Sequence, residues 1–360
     1  MNCYIHVPFC KSKCGYCAFY SETGANENII EEYLEKLIRD ISSVKPFKPQ
    51  TIYIGGGTPT LLSAAQLQYL FESIKRYLAP DKECEISIEC NPETLTAEKC
   101  SVLQEHISRI SLGVQSFDDT LRDTLGRKCS KEALNNALNL IRESKIPHFN
   151  CDLIYGIPGE TLELWKNDLE NVISAGVDHV SCYSLTPEEQ SRLGATFIID
   201  DDAAVEMYQT AGKILSRNGI ERYEISNYAK RGAECRHNVN VWKGGKLIAF
   251  GPAGAGFDGT QRTVNPESIC CWLNGDAPEN DELPEESRCR EIFAVNLRTV
   301  SGWNRELWQH KNFSWDKMRE IFSSAMESIP NEFYIITNDT IRLTADGLLY
   351  WNDIAERIIL

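Results

Sequence analysis

The chain has 360 residues, too many for one small module and enough for two domains or for one barrel with an appendage. An apolar share of 42%, a charged share of 25% and a mean hydropathy of −0.33 exclude a disordered chain and leave material for a large core. A net charge of −15 with a pI near 5.0 excludes a broad basic footprint, so no nucleic-acid partner is expected.

The opening residues, Met1 to Pro8, carry no basic region, apolar stretch or small-residue cleavage site, which predicts a cytoplasmic chain. No stretch approaches the 18 apolar residues that mark a membrane span, so no integral membrane segment is expected. Fourteen cysteines in such a compartment are expected to be reduced. Cys90, Cys151 and Cys182 lie singly in apolar runs, where a free thiol packs as a small hydrophobe.

Short β-branched runs alternate with helical segments over the first two hundred residues, the pattern of parallel βα units. Strands are predicted near Tyr4–Val7, Thr51–Ile54, Cys84–Cys90, Arg109–Gly113, Phe149–Ile154 and His179–Tyr183. Ile30, Tyr33, Leu34, Leu37, Ile38 and Ile41 form the apolar stripe of a helix between the first two. The next helix starts at a capping box, Ser63 to Gln66, ahead of Leu67, Leu70, Phe71 and Ile74. Further helices fit Lys131–Ser144, Leu162–Ser174 and Ala203–Asn218. Six successive units predict an α/β fold with a partial (β/α)6 barrel over residues 1–232, its chemistry at the C-terminal strand ends. Residues 233–360 read as a smaller α+β domain. It holds a Gly-rich stretch from Gly251 to Gly256, an acidic loop from Asp276 to Ser287, Ile292–Leu297, a helix near Trp315–Met326 and a closing strand and helix. Trp303, Trp308 and Trp315 are expected in its core.

The sharpest signal is Cys10, Cys14 and Cys17, a C-x3-C-x2-C run directly after the first strand. Zinc sites want two pairs of ligands, and three thiolates without a local fourth leave one position open. A [4Fe–4S] cluster with one iron free for an outside ligand fits that count; buried thiols or a partial zinc site are the blander reading. With Tyr16 before its last cysteine, the run resembles the signature of the radical S-adenosylmethionine (SAM) superfamily. In that family SAM chelates the open iron, and an electron from the cluster cleaves a carbon–sulfur bond to give a 5′-deoxyadenosyl radical. The opening Tyr4-Ile5-His6-Val7-Pro8-Phe9-Cys10 further resembles the Y-x-H-x-P-F-C of the anaerobic coproporphyrinogen oxidase family, which includes HemW-type heme chaperones.

The resemblance implies SAM contacts at matching positions: Tyr4, Tyr16, Gly56, Gly57 and Thr58 of the Gly-rich loop, Glu89, Gln115, Arg127, Asp152 and Ser184. The residue types suit the task. Glycines let a ligand approach the main chain, and an acid at a strand end is costly unless it meets something polar. Asp152, an acid inside an apolar strand, suits a ribose hydroxyl. The plain alternatives are a strand-to-helix turn, a solvated acid at Glu89 and a surface cation at Arg127. Two features separate the family's branches. The oxidase carries an extra cysteine two residues past the triplet, where this chain has Phe19, and a long segment before the motif, where it has Met1 to Cys3. The chaperones carry H-N-x-x-Y-W after the barrel; here His237, Asn238 and Trp242 match and Val241 replaces the tyrosine. The resemblance thus implies heme contact at His237, Asn238 and Trp242, although an isolated His is more often a surface residue in a capped turn. It also implies a heme-acceptor apoprotein and a reductant such as flavodoxin or ferredoxin. The alternative is oxygen-independent coproporphyrinogen III oxidation, and a simple iron–sulfur electron carrier is a third. His6 is expected near substrate, and His106, His148, His179 and His310 are expected to be structural or exposed. Cys270 and Cys271 read as no second metal site.

Overall fold

A computed structural model of the chain describes residues 1–186, 193, 200–308 and 313–360, so His310 lies outside the described residues. Alternation of strand and helix builds one long sheet. Its strands are β1 (Asn2–Val7), β4 (Thr51–Gly56), β5 (Glu85–Cys90), β6 (Arg109–Gln115), β7 (His148–Tyr155) and β8 (His179–Ser184), paired in that order and all parallel. A short parallel ribbon of β2 (Phe9–Cys10) and β3 (Glu22–Thr23) frames the loop of the three cysteines. Side chains of β4 to β8 line one cavity, so the sheet curls into the expected partial barrel.

Its outer helices pack as their periodicity predicts. On α1 (Glu27–Ser43) the buried residues are the six of the stripe, each worth about 1.5–3 kcal/mol of burial if fully transferred. The capping box of α2 (Ala64–Tyr77) is present: Ser63 accepts from the Gln66 amide, and the Gln66 side chain accepts from Ser63 N. Next come α3 (Ala97–His106), the short α4 (Asp119–Thr124), α5 (Lys131–Glu143), α6 (Leu162–Ser174) and α7 (Asp201–Arg217). Among the described residues no helix is long and apolar enough to cross a membrane.

The expected division at residue 232 falls inside the run of the sheet. After β9 (Glu221–Arg222) and β10 (Asn227–Ala229) on its far edge, the chain crosses beneath the barrel through α8 (Arg236–Trp242). It then places β11 (Leu247–Phe250) parallel to β1. Antiparallel β12 (Ala255–Phe257), β13 (Arg262–Val264) and β14 (Glu279–Asn280) extend that edge, followed by α9 (Ile269–Asn274) within the run. The apolar residues Ile5 and Phe250 stand in register, which is why this segment joins the barrel rather than the appendage. The second core gathers on α10 (Glu285–Asn296), α11 (Trp315–Ala325) and α12 (Trp351–Ile359), with Trp303, Trp308, Trp315, Phe293 and Phe322 inside it. Residues 292–297 are thus the end of a helix and not a separate element, and that helix begins within the acidic stretch, at Glu285.

Candidate functional site

Polar residues at alternate strand positions decide the character of the barrel interior. Along β5 every second residue is polar, Glu85, Ser87 and Glu89; along β6, Arg109 and Ser111; along β7, Asn150 and Asp152; along β8, His179, Ser181 and Tyr183. Alternation with buried Ile88, Ile110, Cys151 and Val180 puts the apolar residues against the helices and the polar ones inside.

At the C-terminal strand ends these side chains open into a cavity of about 500 Å³. Cys10, Cys14 and Cys17 line one side of it, all half-buried and free. The Thr58 hydroxyl lies 3.6 Å from Cys10 Sγ, and Arg127 Nη1 lies 3.6 Å from Cys14 Sγ while Nη2 donates to the Gly113 carbonyl at 2.9 Å. Tyr16 faces the same space, its phenol pushed above its ordinary range by burial.

The loop after β4 is shaped by its glycines. Gly56 has φ +113°, a conformation closed to other residues, and a Cβ on Gly57 would stand 2.7 Å from the Phe9 carbonyl. Thr58 N donates to that carbonyl at 2.7 Å, which ties the loop to the first cysteine's strand. Opposite, Glu89 accepts from Tyr53 OH and from Gly56 N, each at 3.0 Å. Burial, then the nearness of Asp152, pushes the Glu89 carboxyl up to about 7, against the pull of those two donors. Asp152 is held by Ser111 Oγ at 2.8 Å and Asn150 Nδ2 at 2.9 Å, and burial raises its pKa also. A break in register between Gly113 and Gln115, with Gln115 at φ +69°, turns the end of β6 toward the cavity. Ser184 lines its far side, and Phe19, 72% exposed, stands at its rim.

The expected site residues Tyr16, Gly56, Gly57, Thr58, Glu89, Gln115, Arg127, Asp152 and Ser184 therefore meet the three cysteines in one cavity. Tyr4 does not reach its wall: its ring lies beside Tyr53 at 6.3 Å and its hydroxyl donates to His6 Nδ1 at 3.1 Å. His6 Nε2 donates to the Tyr20 carbonyl at 3.1 Å, so both ring nitrogens are engaged and the ring is neutral. The donor set suits a group that needs three thiolates and carries negative charge beside them. Arg127 Nε is buried without a hydrogen-bond partner among the described residues, and Gly57 admits no side chain because the Phe9 main chain packs against it.

His237, Asn238 and Trp242, the expected heme contacts, do not line this cavity. These residues sit at the other end of the barrel, on α8, which caps the N-terminal strand ends. Glu85 Oε1 accepts from His237 N at 2.9 Å and Oε2 from Arg236 N at 3.1 Å; Arg109 Nη2 donates to the Ala233 carbonyl at 2.7 Å. Thr51 Oγ1 donates to Asn2 at 2.9 Å, so its oxygen accepts from His237 Nδ1 at 2.8 Å. His237 is 5% exposed, and burial lowers its pKa to about 4. Its ring nitrogen and its backbone amide are thus both held by residues of the barrel floor. Trp242 packs over the Arg298 guanidinium at 4.9 Å. His179 is a structural residue: it donates to Asn150 Oδ1 at 2.6 Å and accepts from Tyr223 OH at 2.8 Å, continuing the chain below Asp152. Tyr53, Ser111, Asn150 and Tyr183 escaped the motif reading; the polar residues at alternate positions of apolar strands were the signal that marks them.

The profile of the radical SAM superfamily matches residues 4–172. The heme chaperone HemW of Haemophilus influenzae is 31% identical over 99% of this chain and 97% of its own length. HemW of Escherichia coli is 34% identical over 99% and 97%, and HemW of Bacillus subtilis 30% over 98% and 97%. Among solved structures, the coproporphyrinogen III oxidase HemN of Escherichia coli, a radical SAM enzyme, shares the fold with a TM-score of 0.85. It covers 99% of this chain and 89% of its own at 19% identity.

Proposed function

Because the chain belongs to the HemW family of heme chaperones within the radical SAM superfamily, we propose that it binds heme and hands it to an acceptor apoprotein in the cytoplasm. Membership of the superfamily implies a [4Fe–4S] cluster and SAM as cofactors. Cys10, Cys14 and Cys17 would hold three irons and leave the fourth to the amino and carboxylate groups of SAM. Bound there, the cluster would supply an electron received from a reductant such as flavodoxin or ferredoxin. The chain's own residues do the rest. Arg127, beside Cys14, would stabilise thiolate charge there, the main chain of Gly56 to Thr58 would take the methionyl end, and Glu89 would accept from its ammonium. Gln115, Asp152, Tyr16 and Ser184 line the same cavity, where Gln115 would face the ligand, Asp152 would accept from its ribose hydroxyls, and Tyr16 and Ser184 would keep water from the walls.

The observation that carries the SAM reading is the convergence of three thiols, one unpartnered Arg127 nitrogen and two buried acids on one cavity. The heme reading rests on the full-length relatives, and it assigns no iron ligand on the barrel floor. Phe19, where the oxidase branch has a cysteine, weighs against porphyrinogen decarboxylation. The test is anaerobic reconstitution followed by hemin and coproporphyrinogen III in parallel. Stable hemin uptake without protoporphyrinogen is the expected result; catalytic decarboxylation overturns it.

A further inference from the structure

Three contacts connect the floor of the barrel to its mouth. The carboxylate of Glu89 is oriented by two donors, Gly56 N and Tyr53 OH. Tyr53, in turn, is a ring between two rings: Tyr4 at 6.3 Å on one side and His237 at 5.1 Å on the other. His237 cannot shift freely, because Thr51 holds its Nδ1 at 2.8 Å and Glu85 holds its backbone amide at 2.9 Å. Thr51 and Tyr53 are successive inward residues of one strand, so the histidine is fixed to the same strand whose phenol it supports.

We infer that His237 is a positioning residue for the SAM site, keeping the Tyr53 hydroxyl on Glu89 from below. This rests on the reading that SAM occupies the cavity at Glu89. Removing the imidazole leaves a void directly under the Tyr53 ring. The ring then has space to drop, and Glu89 is left with the Gly56 amide alone. The seat of α8 also depends on the second core. Its Trp242 lies over Arg298, whose guanidinium stacks on Trp351 at 5.3 Å and bonds the fully buried Glu224 at 2.8 Å. The position of the C-terminal unit therefore bears on how firmly the cavity holds its ligand, through one helix and one tyrosine.

The experiment is calorimetric titration of SAM into the cluster-reconstituted full chain, for wild type, His237→Ala, Tyr53→Phe and the double variant. His237→Ala and Tyr53→Phe should each weaken SAM about tenfold, the scale of one lost hydrogen bond to a charged group. The double variant should be within about twofold of Tyr53→Phe, since both act on one contact. His237→Phe, which keeps a ring under Tyr53, should restore affinity. A second readout needs no SAM: in the cluster-free protein, amide hydrogen exchange at Gly56 should speed up in His237→Ala and Tyr53→Phe and not in His237→Phe. If His237→Ala does not fold, Tyr53→Phe and His237→Phe carry both readouts. Unchanged SAM affinity and Gly56 exchange in His237→Ala, losses that multiply in the double variant, or His237→Phe failing to restore, would overturn the inference. Wild type that binds no SAM sinks instead the assignment of the cavity, and leaves the exchange result to decide the role of His237.

Discussion

The two ends of the barrel are built from the same strands and are opposites. At the C-terminal end, Glu89 and Asp152 are buried acids whose charge is disfavoured, facing open space and three free thiols. At the N-terminal end, the first residues of three successive strands, Thr51, Glu85 and Arg109, are all engaged by the segment leading into and forming α8. The mouth gathers its thiols and raised acids around open space, whereas the floor packs its polar groups against one covering segment. Polar groups inside a barrel are therefore no mark of a ligand site by themselves; the open space they face is what separates the two ends.

The sharpest break in that comparison comes from the thiols. Replacing Cys10, Cys14 or Cys17 by Ala should abolish iron and sulfide uptake on anaerobic reconstitution, because each is one of three protein ligands. Cys270→Ala, on the exposed side of α9, should leave the content unchanged. Cluster retention without Cys14 removes the assignment.

At the floor the loss should appear in stability. Glu85→Ala strands Arg109, 2% exposed and 3.6 Å from Glu85, as a buried cation and uncaps α8. The cost should be about 3–5 kcal/mol in urea unfolding, the range for breaking a buried pair from one side. A variant as stable as wild type would show that the floor is not a closed network.

Acid–base behaviour should separate the ends by sign. His237 titrates near 4 in the fold and 6.5 when unfolded, so the unfolded chain binds the extra proton between those values and stability falls as pH drops from 6.5 to 4. Glu89 titrates near 7 in the fold against 4.5, so the folded chain keeps the extra proton and stability falls as pH rises from 4.5 to 7. Each contributes on the order of 3 kcal/mol across its window, and the two oppose each other where the windows overlap. Unfolding of the cluster-free protein between pH 4.5 and 6.5 should thus change slope in opposite directions in His237→Phe and Glu89→Gln. Shifts of the same sign would contradict the assignment.

Smaller still is the effect of Asp152→Ala, which removes the acceptor of Ser111 and one of the two acceptors of Asn150 and should weaken SAM by about 1–3 kcal/mol with cluster content intact. Calorimetry on the reconstituted variant checks it, and an unchanged affinity makes Asp152 structural.

Much of the mouth was legible in the chain. Periodicity located the six parallel strands, and Cys10 to Cys17, Gly56 to Thr58, Glu89 and Asp152 are local motifs whose place at strand ends follows from the fold class. The floor was not legible, because its contacts join residues far apart in sequence. Nothing near His237 signals that its neighbours are Thr51, Tyr53 and Glu85. A motif shared with relatives says which residues matter without saying whether they face a ligand or a strand. The same limit hid β11: Leu247 to Phe250 is too short and too plain to announce a partner 240-odd positions earlier, though Asn2 and Lys246, 244 positions apart, are hydrogen-bonded.

That pairing has a consequence for biosynthesis. β1 lies between β4 and β11, with Cys3, Ile5 and Val7 fully shielded. Until the ribosome has delivered residue 250, the strand that leads into the cysteine loop is a bare, apolar edge, the kind of surface on which nascent chains aggregate. That edge closes only after over two-thirds of the polypeptide has emerged, so a long-range contact, slow to form, completes the strand that leads into the cysteine loop.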